Sequence, residues 1–431
     1  GQLAGKRLLL FLPLLLAPAA ISGVVYFLRI WERAPQVAAF LASVLTAYFV
    51  RALPPGASDD LLGRTLTLDP AARDVMLIVL AAAALSNLAL AFHPLPSLYP
   101  SASLASASLL GLTATLDNFT LASLCLLAAA AVVVMAWQPE PGSSGHLQYL
   151  AAMALGALAL AYTASLMDDA PDTPSRLALI GFELGAGLLL GLIPFGFWES
   201  SLGRDSEPIT VSCVSLSFKP ATLLLLWRLT SRHIWLSSNT LMPNLLEVAA
   251  VVTVGYAALR AASASSTRTF VAAASQGQFA LVVFALLPSL GSSALLPLTT
   301  RVLLARVVPI VLLAVAGSAL PRLATPSGRF LLAFSVLALL GLPGTPLFPH
   351  YLTAAASLPQ ADALLNALVV LGAGLSLGVG RLASQPPSGP RSPDRSAEQD
   401  GGKQLLIAAS FLALLAVYLG VDPSRLLAYL Q

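Results

Sequence analysis

The 431-residue chain is 57% hydrophobic and only 10% charged, with a mean hydropathy of +0.83. No water-soluble globular fold hides that much apolar surface. The net charge of +3 comes from 23 basic and 20 acidic residues placed mostly between apolar stretches. It is loop charge and gives no support for nucleic-acid binding.

A bilayer-crossing helix needs about 20 apolar residues. On that rule the sequence predicts fourteen helices, at 8–28, 36–53, 74–93, 101–116, 119–137, 148–167, 177–197, 209–229, 241–259, 269–289, 296–320, 329–356, 361–383 and 404–422. The expected fold is therefore an all-α polytopic membrane protein. Its N-terminal helices fill 1–100, a first five-helix unit 101–229 and a second 241–383. A polar loop at 384–403 sets the C-terminal helix of 404–431 apart as an appendage, and another long loop is expected at 54–73. Lys and Arg are shared almost evenly between the two sets of loops, so the positive-inside rule assigns no orientation. Cys125 and Cys213 fall inside apolar stretches and no Cys/His group has metal-ligand spacing, so neither a disulfide nor a metal is expected.

The seventh segment contains Gly191-Leu192-Ile193-Pro194, and the twelfth contains Gly341-Leu342-Pro343-Gly344-Thr345-Pro346 followed by Pro349. Proline inside a helix removes a backbone hydrogen bond and clashes with the preceding turn, so both helices should break near Pro194 and Pro343. The breaks lie five segments apart, which fits inverted repeats made of segments 4 to 8 and 9 to 13. Paired broken helices of this kind point to a transport site.

Lys219 is the one lysine inside a long apolar segment; Lys6 and Lys403 flank such segments. An ionisable group at membrane depth marks a functional site by default, most often a relay for protons or ions. The opposing reading is a lysine whose head snorkels to the interface, a reach of some 15 Å from mid-helix. Glu183, in the first half of the seventh segment, is a candidate acidic partner, or an acid facing Arg176. His350, just past the second break, is a candidate relay that titrates in the physiological range, or a polar residue at a hydrated kink. Glu247, Arg301 and Arg306 are assigned interfacial or subunit-contact roles ahead of transport. No phosphate-binding loop, nucleophile elbow or paired-carboxylate arrangement occurs outside the apolar segments, so the chain itself is expected to do no redox or hydrolytic chemistry.

Pro194-Phe195-Gly196-Phe197-Trp198, followed by Lys219 on the next helix, resembles a motif of the antiporter-like subunits of respiratory complex I. In that family Pro-Phe-His-x-Trp ends the seventh helix and precedes a lysine on the eighth. Leu340-Gly341-Leu342-Pro343-Gly344-Thr345 is similar to the family's broken twelfth helix, and Arg268 with Ser275-Gln276 and Phe279 is similar to its tenth. With fourteen helices and no long lateral helix, the chain looks most like the member called subunit 2 in mitochondria or subunit N in bacteria.

The resemblance implies a proton-translocating subunit of the membrane arm of an NADH:ubiquinone reductase, with other complex I subunits, lipids and protons as its partners. FMN and iron–sulfur clusters belong to those other subunits, and this chain is expected to bind no cofactor. Two alternatives remain: a structural subunit that has lost proton transfer, and an independent cation/proton antiporter subunit. A first residue other than Met and the excess of Arg over Lys point to a mitochondrial inner-membrane protein, with the bacterial inner membrane as the alternative. The chain departs from the family at the fifth-helix glutamate (Leu127 or Ala128), the seventh-helix lysine (Leu189), two histidines (Gly196 and Gln276) and the twelfth-helix lysine (Tyr351). The family's charge pair is thus expected to be missing.

Overall fold

The computed structural model describes residues 11–421 except 55, 62, 93–97, 137–143, 170–174, 234, 237–240, 287–295, 324–325, 358–360 and 385–394. All fourteen predicted segments are helical. They are α1 (Phe11–Phe27), α2 (Ala34–Ala52), α3 (Pro70–Phe92), α4 (Tyr99–Thr115), α5 (Phe119–Ala136), α6 (Gly145–Asp169), α7a and α7b (Arg176–Leu190 and Phe197–Asp205), α8 (Pro208–Arg232), α9 (Leu241–Ser263), α10 (Thr267–Leu286), α11a and α11b (Leu296–Ala305 and Val307–Leu323), α12a and α12b (Pro326–Leu339 and Phe348–Ser357), α13 (Ala361–Ser384) and α14 (Arg395–Val421). Ten described helices are long and apolar enough to cross a membrane. Of the other four segments, the fourth and fifth are short and the seventh and twelfth are broken.

Burial sorts these helices into a centre and a ring. The apolar window of α8 is 100% buried and that of α10 is 94% buried, against 22% for α1, 33% for α13 and 28% for α14. A helix buried all round belongs at the heart of a bundle, so Lys219 lies at the centre of the protein. The ring helices turn large apolar side chains outward, as with Leu41, Leu45 and Tyr48 of α2. Two polar contacts hold α8 at opposite ends: Arg268 of α10 pairs with Glu207 just before α8 at 2.7 Å, and Arg228 pairs with Asp69 just before α3 at 2.6 Å.

Local chemistry explains two helices that hydropathy describes poorly. The Ser-rich α4 is buried because its hydroxyls bond inside the bundle: Ser108 Oγ donates to the Leu15 carbonyl at 2.7 Å, and Ser103 Oγ accepts from Asn87 Nδ2 at 2.9 Å. In α13, Gly374 and Gly378 form a small-residue face against α9. There a Cβ on Gly374 would lie 2.6 Å from Ala258 Cα, so the two backbones are in contact.

Two expectations about connections are corrected. The stretch 54–73 is no plain loop: β1 (Ala57–Leu61) pairs antiparallel with β2 (Arg64–Leu68), with Ala57 opposite Leu68. Leu66 and Leu68, one strand period apart, are fully buried and close the base of the bundle between α3 and α4. Nor is the last helix an appendage. It begins at Arg395, inside the segment expected as polar loop, and packs along α11b, with Gly420 against the Gly344 carbonyl of the second break.

Candidate functional site

Both predicted breaks form, and in the same way. α7a ends at Gly191 with φ +70°, and the amide of Leu192 bonds back to the Gly187 carbonyl at 3.0 Å. α12a ends before Gly341 with φ +73°, and the amide of Leu342 bonds back to the Leu337 carbonyl at 3.1 Å. This six-residue closure around a left-handed glycine terminates a helix without stranding its last carbonyls. Proline then keeps the helix from resuming for several residues.

Backbone groups freed at the first break find protein partners, as an apolar setting demands. Trp198 Nε1 donates to the Leu188 carbonyl at 2.8 Å, the Ile193 amide donates to Thr253 Oγ1 at 2.9 Å, and Gln276 Nε2 donates to the Gly191 carbonyl at 3.0 Å. Gln276 and Gly196 both occupy positions where the resembling family has histidine. Here they fit one another, since a Cβ on Gly196 would lie 2.8 Å from Gln276 Nε2 and collide with the Gly191 carbonyl.

The break throws α7b toward α8, and Glu199, one residue after Trp198, forms an ion pair with Lys219. Lys219 is 1% exposed and Glu199 6%, and Glu199 Oε2 keeps no hydrogen-bond partner. Lys219 Nζ also lies 4.4 Å from the centroid of the Phe279 ring. The guanidinium of Arg306 is 4.9 Å from that same centroid, so one aromatic ring serves two cations. Arg306 Nε donates to Gln278 Oε1 at 2.8 Å and Nη2 donates to Ser215 Oγ at 3.2 Å, while Gln278 Nε2 donates to the Tyr351 hydroxyl at 3.2 Å. Glu199, Lys219, Arg306, Gln278 and Tyr351 thus form a buried polar file from α7b to α12b, the second halves of the two broken helices.

Several sequence expectations change on this geometry. Arg306 is no interfacial or subunit-contact residue: it is 0% exposed and sits at an interruption between α11a and α11b. The file has a carboxylate after all, because Glu199 supplies one across the break. Leu189 packs instead against Gly156 in apolar surroundings, and at the fifth-helix position Leu127 is half-buried and Ala128 exposed. Glu183 is half-buried on α7a and forms no ion pair among the described residues, so it is not the partner of Lys219. His350 is buried beside Tyr351 but outside the file. Cys125 and Cys213 are free thiols. Among the described residues no three of His, Cys, Asp and Glu come together to hold a metal ion.

Glu199 is the residue that sequence reasoning missed. Its only signal was an acid directly after the Pro-Phe-Gly-Phe-Trp stretch, which reads as the polar start of a loop unless the backbone turns it inward.

No family model and no curated protein matches the sequence. Similarity lies in the fold. A chain of respiratory complex I from Thermus thermophilus superposes with a TM-score of 0.75 at 16% identity, over 97% of both chains. A chain of the Mrp complex from a Dietzia species gives 0.76 at 15% identity, over 98% of this chain and 51% of that one. A chain of the membrane-bound sulfane sulfur reductase, an archaeal respiratory membrane complex, gives 0.72 at 16% identity, over 97% and 96%. The chain therefore has the polytopic membrane-protein fold of these chains from respiratory and Mrp membrane complexes.

Proposed function

We propose that this chain is a proton-translocating, antiporter-like subunit of a complex I type membrane arm. NADH oxidation and quinone reduction, with FMN and iron–sulfur clusters, would take place on other subunits, and this chain would bind no cofactor of its own. Its setting is a mitochondrial or bacterial inner membrane.

The observation that carries this reading is the buried Glu199–Lys219 pair, joined through Phe279 to Arg306, Gln278 and Tyr351. One carboxylate balances one cation. Arginine keeps its proton at any accessible pH whereas lysine does not, so Arg306 and Glu199 neutralise one another and the proton on Lys219 is the surplus charge. It is the charge the site can release without stranding a buried ion. A neutral Lys219 then accepts a proton from the α7b side, where Glu199 Oε2 is unpartnered. The file draws on the second half of each broken helix, through Glu199 of α7b and Tyr351 of α12b.

The alternative of a purely structural subunit predicts that Lys219 is dispensable for coupling. The test is to purify the chain by affinity and identify its companions, then to compare proton movement with NADH oxidation in vesicles holding wild-type or K219A complex. Co-purifying flavoprotein and iron–sulfur subunits with a lowered proton yield in K219A support the proposal; wild-type coupling in K219A rejects it. The likeness to a chain of the Mrp complex keeps an independent cation/proton antiporter as the second reading. Co-purification with other multi-pass membrane subunits alone would favour it.

A further inference from the structure

A groove of about 480 Å³ opens on the flank of the bundle. α2 packs on α3 and α14 packs along α11b, and the groove lies in the gap between these two pairs. Phe40, Val44 and Tyr48 of α2 form one wall, and Leu415 and Leu419 of α14 the other. The walls run in the same direction. Arg33 Nη2 donates to Gln404 Oε1 at 3.4 Å, and Leu415 and Leu419 follow Gln404 at the same offsets at which Val44 and Tyr48 follow Arg33. The floor comes from α3 and from the residues on either side of Arg306 in α11a and α11b.

The lining is apolar along its length and charged at one end. Ser43 Oγ donates to the Ala39 carbonyl at 2.8 Å and asks nothing of an occupant. The other polar groups of the lining, Tyr48 and Arg51, sit together at the C-terminal end of α2. From Phe40 to Arg51 the helix advances eleven residues, or about 16 Å at 1.5 Å per residue. That is about half of a hydrocarbon core roughly 30 Å thick, the depth of a single leaflet. A partner's membrane-crossing helix, or one from a second copy, would run twice as far, so the groove has the length of an acyl chain.

We propose that this groove binds one phospholipid, its acyl chain lying along α2 and its phosphate held by Arg51, with an anionic headgroup preferred. The inference needs the membrane setting and does not depend on proton translocation. Lipid tails enter any groove open to a bilayer, so it is the guanidinium at the mouth that makes this one selective: its planar fork matches phosphate oxygens. A zwitterionic headgroup carries its own cation, which opposes Arg51, whereas an anionic one does not. The bound chain also packs behind the interruption at Arg306. Arg306 does not line the groove, since its guanidinium is engaged by Gln278 and Ser215.

The experiment purifies the protein in detergent with whatever subunits accompany it, washes it, and identifies the retained lipid by mass spectrometry in wild type, R51Q, A81F and R29Q. Ala81 belongs to the floor, so phenylalanine there fills the groove and leaves Arg51 in place; Arg29 lies outside the groove, 4.2 Å over the Tyr26 ring. Wild type and R29Q are expected to retain phospholipid and to be stabilised more by added phosphatidylglycerol than by phosphatidylcholine in a thermal-shift assay. R51Q should retain about tenfold less, the effect of losing one charge-assisted hydrogen bond, and should lose the preference for phosphatidylglycerol; A81F should retain none. A wild type that retains no lipid, equal retention in R51Q and wild type, or equal loss in R29Q and R51Q overturns the proposal. If A81F does not assemble, R51Q against R29Q decides. A photoreactive phenylalanine analogue at Ala81 supplies an independent reading: crosslinking to lipid supports the proposal, and crosslinking to a polypeptide assigns the groove to a protein segment and overturns it.

Discussion

Glu199 reaches Lys219 because Gly191 leaves it room. A Cβ built on Gly191 would lie 2.8 Å from Glu199 Oε1, and that glycine already holds a left-handed φ of +70°. The residue that ends α7a is thus also the residue that admits the carboxylate. Gly191→Ala should disturb both, straining the turn by about 1–2 kcal/mol and displacing Glu199. The expected outcome is a lower melting temperature of the purified chain together with reduced proton yield, measured by scanning fluorimetry and in vesicles.

The buried pair should behave as a unit. Removing one partner leaves a stranded charge, which costs about 3–5 kcal/mol, whereas replacing both with apolar or neutral groups of similar shape is far milder. Lys219→Met and Glu199→Gln should each lower thermal stability, and the double variant should be more stable than the sum of the two losses requires. Strictly additive melting shifts would show that the two side chains do not interact.

Lys219→Arg separates charge from proton exchange. Arginine preserves a cation for Glu199 but stays protonated, so the variant should assemble and keep near-normal stability yet lose proton yield to the same extent as Lys219→Ala. Normal coupling in the arginine variant would mean that Lys219 supplies only a fixed charge.

Gln276 holds the first break together through the Gly191 and Gly196 carbonyls. Gln276→Leu keeps the bulk but orphans these buried acceptors, a loss of about 1–3 kcal/mol. Faster proteolysis across 191–197 is the expected result, and unchanged protection would contradict the assignment.

Helices α9 and α13 meet through glycine, with a Cβ on Gly374 falling within 2.6 Å of Ala258 Cα. Gly374→Leu should push them apart and destabilise the bundle around them. Gly380→Ala should be silent, since nothing lies within 4 Å of its Cβ position. Expression and monodispersity in detergent distinguish the two.

Much of this protein was legible in its residues alone. Apolar run length located all fourteen helical segments, because a bilayer sets that length. Gly-Leu-Ile-Pro and Gly-Leu-Pro-Gly located both breaks, because proline and left-handed glycine act locally and leave little choice of backbone. Lys219 stood out because charge at membrane depth is rarely tolerated without a role. Tertiary structure alone decided what Lys219 meets. Glu199 looked like the start of a loop until the turn at Gly191 carried it inward. Arg306 looked interfacial because its segment was long, and only the interruption at 306 and the Phe279 ring revealed it as the second cation. Such partners come from different helices, and their pairing depends on how the bundle packs, which no local spacing encodes.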